Sequence, residues 1–234
     1  MKPTVCVLSC EHAVNTIPAP YQPLFSQHEA VLQTHRGIDI GALEIARHLH
    51  KTLACKFEQA TVSRLLIDCN RSLNHKQCFS EFTKTLSAKD KQTLIDTYYR
   101  PYRENVESII KNHIDQGAQV LHLSIHSFTP ELNGKIRNAA IGLLYDYTRH
   151  GEREVARVWR GLIELQTPAF RVRMNYPYHG KSDGFTSHLR KVHNEHDYLG
   201  LEIECNQALL SEDESRKEVA TVLATSLQEL MQVL

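Results

Sequence analysis

The chain has 234 residues, 27 of them basic and 27 acidic, so its formal net charge is zero. A chain of this length can bury the core of one α/β domain, and we expect a single domain over residues 1–234. The balanced charge removes the usual electrostatic reason to propose a nucleic-acid-binding or membrane-surface protein, so we expect neither nucleic acid nor membrane as a partner.

The hydrophobic pattern predicts an α/β fold. Short apolar and β-branched stretches predict strands at residues 5–9, 61–67, 119–125, 139–145, 170–174 and 198–204. Apolar residues at helical spacing predict helices at residues 38–53, 87–116 with an interruption near Pro101, 152–165 and 211–234. Strands that alternate with helices favour a mixed, mostly parallel sheet with helices on both faces.

The start of the chain and its cysteines predict a cytoplasmic protein. No stretch approaches the roughly 18 apolar residues of a membrane-spanning helix, and the apolar stretch after Thr4 is too short for a signal-peptide core. The six cysteines form no C-x-x-C pair, so we expect reduced thiols.

Polar residues with chemical potential follow several of the predicted strands. They are Glu11 and His12, Asp68 with Asn70 and Arg71, His126 and Ser127, and Glu204. Ligand sites in open α/β sheets form at the carboxyl ends of the strands. Their shared placement therefore predicts one site at this edge of the sheet.

Two histidines in this set indicate a metal site. His126 ends the predicted strand 119–125, and His12 follows the first strand. A lone histidine at either position would more often be structural, but two imidazoles and one carboxylate make a catalytic zinc site with a fourth position open for water. We therefore expect one zinc ion per chain, bound in part by His12 and His126.

The carboxylate ligand has three candidates. We favour Asp39, which precedes a predicted helix and would otherwise serve as its N-terminal cap. Glu11 is adjacent to His12, so its side chain is expected to diverge from that histidine, and Asp68 is the third possibility.

Glu202 and Glu204 share one face of an apolar strand because side chains alternate along a strand. Burying an unpaired carboxylate is costly, so their presence needs a reason. One explanation is the solvent-facing side of an edge strand. The functional explanation makes Glu204, nearest the strand exit, the general base that activates water, with Glu202 as the alternative.

Arg71 is the candidate for holding a substrate carboxylate, because its planar guanidinium can bind a carboxylate through two hydrogen bonds. A surface salt bridge is the alternative, and Arg64 and Arg137 are weaker candidates for the same role. The Pro/Gly-rich loop after residue 175 carries aromatic and polar groups, and we expect Tyr178, His179 and Thr186 to contact substrate.

Six blocks in the chain, in this order, together resemble the N-formylglutamate amidohydrolase family. The blocks are SCEHAVNTIP (9–18), DIG (39–41), SRLLIDCNR (63–71), SIHSFTP (124–130), NYPY (175–178) and ECNQALL (204–210). The family belongs to a wider group that resembles zinc carboxypeptidases and aspartoacylases, which implies a mixed α/β sheet flanked by helices and a zinc-carboxypeptidase-like fold.

The resemblance also implies roles for individual residues. It implies that His126 is the last zinc histidine, that Asn70 and Arg71 grip a substrate carboxylate, and that Glu204 activates water. One position departs from the carboxypeptidase pattern: Asn15 lies where the second zinc ligand is expected, three residues after His12. The carboxylate must then come from elsewhere, and Asp39 is the choice.

The expected activity is zinc-dependent hydrolysis of a linear amide in an N-formyl or N-acyl amino acid. A zinc carboxypeptidase or a deacylase for longer acyl or peptidyl groups would use the same site. A metal-free binding module on the same fold is the third possibility, against which the combination of His12, His126 and Glu204 argues.

Overall fold

The structure is a computed structural model that describes residues 2–234 of the chain. Within those residues it contains eight strands: β1 (Thr4–Cys10), β2 (Lys56–Gln59), β3 (Gln119–Phe128), β4 (Glu131–Leu132), β5 (Lys135–Ile136), β6 (Ile141–Leu144), β7 (Val172–Met174) and β8 (Tyr198–Asn206). The same range contains seven α-helices: α1 (Glu29–Leu32), α2 (Ala42–Leu53), α3 (Ala88–Leu94), α4 (Arg100–Asp115), α5 (His150–Gln166), α6 (Phe185–Val192) and α7 (Asp213–Val233).

Six strands form the central sheet in the order β2-β1-β3-β8-β6-β7. Every neighbouring pair is parallel except β6 and β8, which are antiparallel. The strands β4 and β5 form a separate antiparallel pair. The predicted mixed, mostly parallel sheet flanked by helices is confirmed.

Helices cover both faces of the sheet. One face packs against α2, α5 and α7 through residues such as Leu8, Leu123 and Ile203, which are fully buried. The opposite face packs against α4 and α6 through Val120 and Tyr198. On the face that packs against α4 and α6, the side chains of β1, β3 and β8 are largely polar. Hydrophobic burial thus fixes the strands, while the polar side chains gather on one face near the strand ends.

One predicted strand is wrong. Residues 61–67 form a loop with one turn at residues 64–66, and the strand that pairs with β1 is β2, a few residues earlier. Leu66 and Ile67 are fully buried, but they pack in a side cluster with Phe25 and Leu94 rather than in the sheet. The β-branched, apolar pattern at residues 61–67 therefore indicated that these residues are buried, not that they pair in a sheet.

Two helices differ in detail from their predictions. The helix predicted from residue 38 begins only at Ala42, because Gly41 has a φ of 80° and ends the preceding loop in a left-handed conformation. The interruption predicted near Pro101 is absent at the proline itself; the irregular segment is a π-helical turn, Ile95–Tyr99, between α3 and α4. Pro101 itself lies in the first turn of α4, where its missing N–H is tolerated.

No helix among residues 2–234 combines the length and apolar character required to cross a bilayer.

Candidate active site

The exits of β1, β3 and β8 lie side by side, because β3 pairs with both other strands in parallel register. His12 follows β1, His126 lies near the end of β3, and Glu204 is directly opposite His126 on β8. All three side chains are buried, with relative exposures of 5% or less. The shared edge predicted from the strand-end residues is therefore present.

Asp39 reaches this edge from the loop before α2. Its backbone N–H donates to the carbonyl oxygen of His12 (3.1 Å), and the Ser127 hydroxyl donates to the carbonyl oxygen of Ile40 (2.8 Å). The loop is thus anchored to the ends of both β1 and β3. The alternative role of Asp39, as a helix cap, does not hold, since Gly41 is the N-cap of α2 and no side chain caps this helix.

His12, Asp39 and His126 form the candidate metal triad. The Oδ2 atom of Asp39 lies 3.1 Å from Nδ1 of His12 and 2.8 Å from Nδ1 of His126. One potential ligand atom from each residue can be chosen so that all three lie within 4.8 Å of one another. Two imidazole nitrogens and one carboxylate oxygen fit zinc, and they leave one coordination position open.

The second nitrogen of each imidazole faces a buried carboxylate. Nε2 of His12 lies 2.8 Å from Oδ1 of Asp68, and Nε2 of His126 lies 3.1 Å from Oε2 of Glu11. Metal-binding histidines characteristically hydrogen-bond through the nitrogen that does not bind the metal. Glu11 and Asp68, the two other carboxylates considered as ligands, therefore contact the outer nitrogens of the triad's histidines.

The site carries more negative than positive fixed charge. Arg64 bridges two carboxylates, with Nη1 3.3 Å from Oδ1 of Asp39 and Nη2 3.2 Å from Oδ2 of Asp68. Burial alone would raise the pKa of Asp39, but the charge and hydrogen bond of His12, together with His126 and Arg64, hold it well below its ordinary value. Against the effect of burial, His12 and Arg64 lower the pKa of Asp68 as well. Asp39 and Asp68 therefore stay ionised, and Arg64 is the one permanent cation among these contacts, which favours a bound metal cation.

His126 responds to the same surroundings in the opposite direction. Burial would lower the pKa of His126, but hydrogen bonds and charge interactions with Asp39 and Glu11 raise it well above its ordinary value. The ring is thus held in an environment that attracts positive charge, whether a proton or a metal ion.

Glu204 is the carboxyl group without a fixed partner. Its Oε2 atom is buried and has no hydrogen-bond partner among residues 2–234. Burial raises the pKa of Glu204 to about 8, with the charges of Asp39 and Glu202 acting in the same direction against His126 and Arg64. Because β8 is an interior strand, the edge-strand explanation for its acidic residues does not hold.

A cavity of about 600 Å³ opens above these groups. The predicted site residues that line it are His12, Asp39, Asn70, Arg71, His126, Tyr178, His179 and Glu204. This volume lies within the range of roughly 300–1,000 Å³ typical of small-molecule sites.

Comparison with known proteins identifies the family. A family model described as N-formylglutamate amidohydrolase matches residues 4–211. The chain belongs to this family. The resemblance inferred from the sequence blocks is confirmed, and membership supports an amidohydrolase activity, that is, hydrolysis of an amide.

Two solved structures share the amidohydrolase fold over most of their length. The gene product Atu2144 from Agrobacterium tumefaciens is 26% identical, with a TM-score of 0.83 over 99% of this chain and 92% of that chain. An N-formylglutamate amidohydrolase from Ralstonia eutropha JMP134 is 16% identical, with a TM-score of 0.74 over 99% of this chain and 93% of that chain. No curated protein matches the chain.

Asn70 and Arg71 lie beside the triad. The amide oxygen of Asn70 accepts a hydrogen bond from the Phe185 backbone N–H (2.7 Å), and its Nδ2 lies 3.4 Å from Nε2 of His126. Arg71 donates through Nη1 to the backbone oxygen of Asp183, while its buried Nε has no partner within residues 2–234. Arg71 lines the cavity and keeps one N–H donor that no described residue uses.

The remaining predicted residues are placed differently from one another. Tyr178 and His179 line the cavity, and Tyr178 is 44% exposed. Arg137 does not line it but contacts Tyr178, with Nη1 3.2 Å from the phenol oxygen. Thr186 is fully buried and donates to Oε1 of Glu202 (2.6 Å), so it fixes a glutamate rather than facing the cavity.

The contact of Glu11 with His126 and the bridge made by Arg64 were not predicted from the sequence. The period of two along β1 and β3 carried part of the signal, since Ser9, Glu11, Ser124 and His126 share one face. The pairing of β1 with β3 brings those side chains together. The two strands are distant in sequence, so the local pattern does not predict this pairing.

Proposed function

We propose that this protein hydrolyses the amide bond of an N-formyl or N-acyl amino acid, in the manner of N-formylglutamate hydrolysis, with zinc as its cofactor. The observation that carries the proposal is the convergence of His12, Asp39 and His126 beside a buried, unpartnered Glu204 in one cavity. Family membership supports the reaction type.

His12, Asp39 and His126 would hold the zinc ion. Bound there, zinc would supply Lewis-acid chemistry, polarising the substrate carbonyl and making water more acidic. Asp68 and Glu11 would orient the two imidazoles through their outer nitrogens. Arg64, anchored on Asp39 and Asp68, would keep both carboxylates in place.

Glu204 would act as the general base and then as the general acid. Its free Oε2 faces no competing donor, so it can accept the proton of the attacking water and later pass it to the leaving amine. Positive charge at the triad would lower the pKa of Glu204 from about 8 and favour the ionised form needed for the first step. Glu202 is less suited, because it already accepts from Thr186.

Arg71 would hold the carboxylate of the amino-acid part of the substrate. Its guanidinium lines the cavity, and Asn70 beside it borders the triad. A fixed carboxylate would orient the scissile amide toward Glu204, and such positioning contributes strongly to catalysis. Tyr178 and His179, on the opposite loop, would close over the bound substrate.

Metal content tests the proposal first. Plasma mass spectrometry of the purified protein should give about one zinc per chain, and His126→Ala should lose it. The zinc-loaded protein should then release formate from N-formyl-L-glutamate. Protein that contains no metal and takes up none when zinc is added would overturn the proposal and favour a binding module.

The cavity favours a second candidate substrate. At about 600 Å³ it lies in the middle of the range for drug-sized ligands, which exceeds the need of a formyl amino acid. A deacylase for longer acyl or peptidyl groups would use the same residues. Competing N-formyl and longer N-acyl derivatives of one amino acid against each other would separate the two, with the larger kcat/KM marking the preferred acyl group.

A further inference from the structure

Glu11 is a fully enclosed carboxylate, 1% exposed, that meets donors on every side. Oε1 accepts from the Ser9 hydroxyl (2.7 Å) and from the Tyr102 phenol (2.9 Å). Oε2 accepts from the Ser124 hydroxyl and lies 3.1 Å from Nε2 of His126. A buried carboxylate with this many dedicated donors is costly to assemble, so it calls for a function.

The hydrogen-bond directions around Glu11 determine the state of the His126 ring. Ser124 has a single hydroxyl proton and donates it to Glu11, so its oxygen can only accept from Nε2 of His126, 2.8 Å away. Nε2 must therefore carry a proton. The lone pair available for a metal is then on Nδ1, the nitrogen that points at Asp39.

A second chain of hydrogen bonds fixes Glu11 from behind. Because Ser9 donates to Glu11, its oxygen accepts from Nε2 of His122 (2.9 Å). Nδ1 of His122 then accepts from the Tyr198 phenol (2.8 Å). The carboxylate is thus tied to β1, β3, β8 and α4, the last through Tyr102, and it has one orientation available.

We propose that Glu11 is a positioning residue that sets the tautomer and orientation of His126 for metal binding. This inference rests on the proposed function, since it assumes that His126 binds zinc. Asp68 holds the outer nitrogen of His12 in the matching way, so each histidine of the triad has its own buried carboxylate. Such outer carboxylates typically change metal affinity by 10- to 100-fold.

The test compares Glu11→Gln with Glu152→Gln. Glu152 is equally buried and also paired, through Arg190 (2.9 Å), but it contacts no residue of the triad. Zinc affinity is measured by competition with a chelator, and the His126 tautomer by long-range ¹H–¹⁵N NMR of the zinc-loaded protein. We expect Glu11→Gln to bind zinc roughly 10- to 100-fold more weakly, and Glu152→Gln to bind as wild type does.

Several outcomes would overturn the inference. Wild-type affinity in Glu11→Gln would show that Glu11 does not position His126 for zinc binding. An equal loss in Glu152→Gln would show that Glu11 acts only through general stability. If Glu11→Gln does not fold, Ser124→Ala replaces it, because it removes one of the contacts between Glu11 and the ring while leaving the carboxylate. Wild-type protein that binds no zinc would instead overturn the proposed function itself, which makes the two failures distinguishable.

Discussion

The buried carboxyl group of Glu204 lowers the stability of the folded protein at neutral pH, although the proposed reaction requires it. Burial raises the pKa of this group from 4.5 to about 8, so the folded protein holds the proton more tightly than the unfolded chain does. The resulting penalty on stability is absent below pH 4.5 and grows as the pH rises. At pH 7 it reaches about 3 kcal/mol for the metal-free protein.

Glu204→Gln removes the ionisable group and keeps the size of the side chain. In chelator we therefore expect the free energy of unfolding at pH 7 to rise by up to about 3 kcal/mol, with no gain at about pH 4.5. After zinc is restored, turnover should fall by roughly 10²- to 10⁴-fold, because the general base is lost.

Urea unfolding followed by circular dichroism measures the stability change, and amide hydrolysis measures the turnover. Glu202→Gln is the matched control, since Glu202 lies on the same face of β8 but is bonded to Thr186. A Glu204→Gln protein that is no more stable than wild type at pH 7 would refute the burial argument. Near-wild-type turnover in the same protein would refute its role as the base.

Three further perturbations test other parts of the structure. Arg71→Ala should lower kcat/KM by about 10- to 100-fold for a substrate with a free carboxylate, because a charge-assisted hydrogen bond is worth roughly 1.5–3 kcal/mol. An equal loss with the carboxamide analogue would contradict the binding of the substrate carboxylate by Arg71. Gly142→Ala should lower the free energy of unfolding, measured in a thermal melt, by about 2 kcal/mol or more. The reason is that a Cβ at this position would lie 1.8 Å from the backbone oxygen of Tyr176. An unchanged melting temperature would be inconsistent with that contact. Burial lowers the pKa of His122 from 6.5 to about 4, so its stabilising contribution is complete above pH 6.5 and lost by pH 4. The stability difference between wild type and His122→Gln should therefore shrink by about 3 kcal/mol over that range, and a constant difference would exclude the mechanism.

The alternation of elements and the residues at strand ends were accessible from the sequence because they depend on local patterns. Periodic burial identified β3 and β8, and thereby placed His126 and Glu204 at the same edge. The strand predicted at residues 61–67 is wrong because burial in a side cluster leaves the same apolar pattern as burial in a sheet. Local sequence does not state which surface a buried residue packs against.

For the carboxylates of the site, too, the local sequence does not predict which residues they contact. The expectation that Glu11 diverges from His12 does not say where Glu11 goes, because its partner His126 lies on another strand. Choosing among Asp39, Glu11 and Asp68 needed the three-dimensional contacts, since each of the three carboxylates lies beside a histidine of the triad.

The triad joins parts of the chain that are distant in sequence. His12 and His126 belong to neighbouring strand ends, and 87 positions separate Asp39 from His126. Contacts of this range form slowly in folding, because chain entropy must be lost before they are made. A zinc ion bound by these residues would act as a cross-link between β1 and β3. Its removal should then loosen the ends of these two strands first, where hydrogen exchange would register the change.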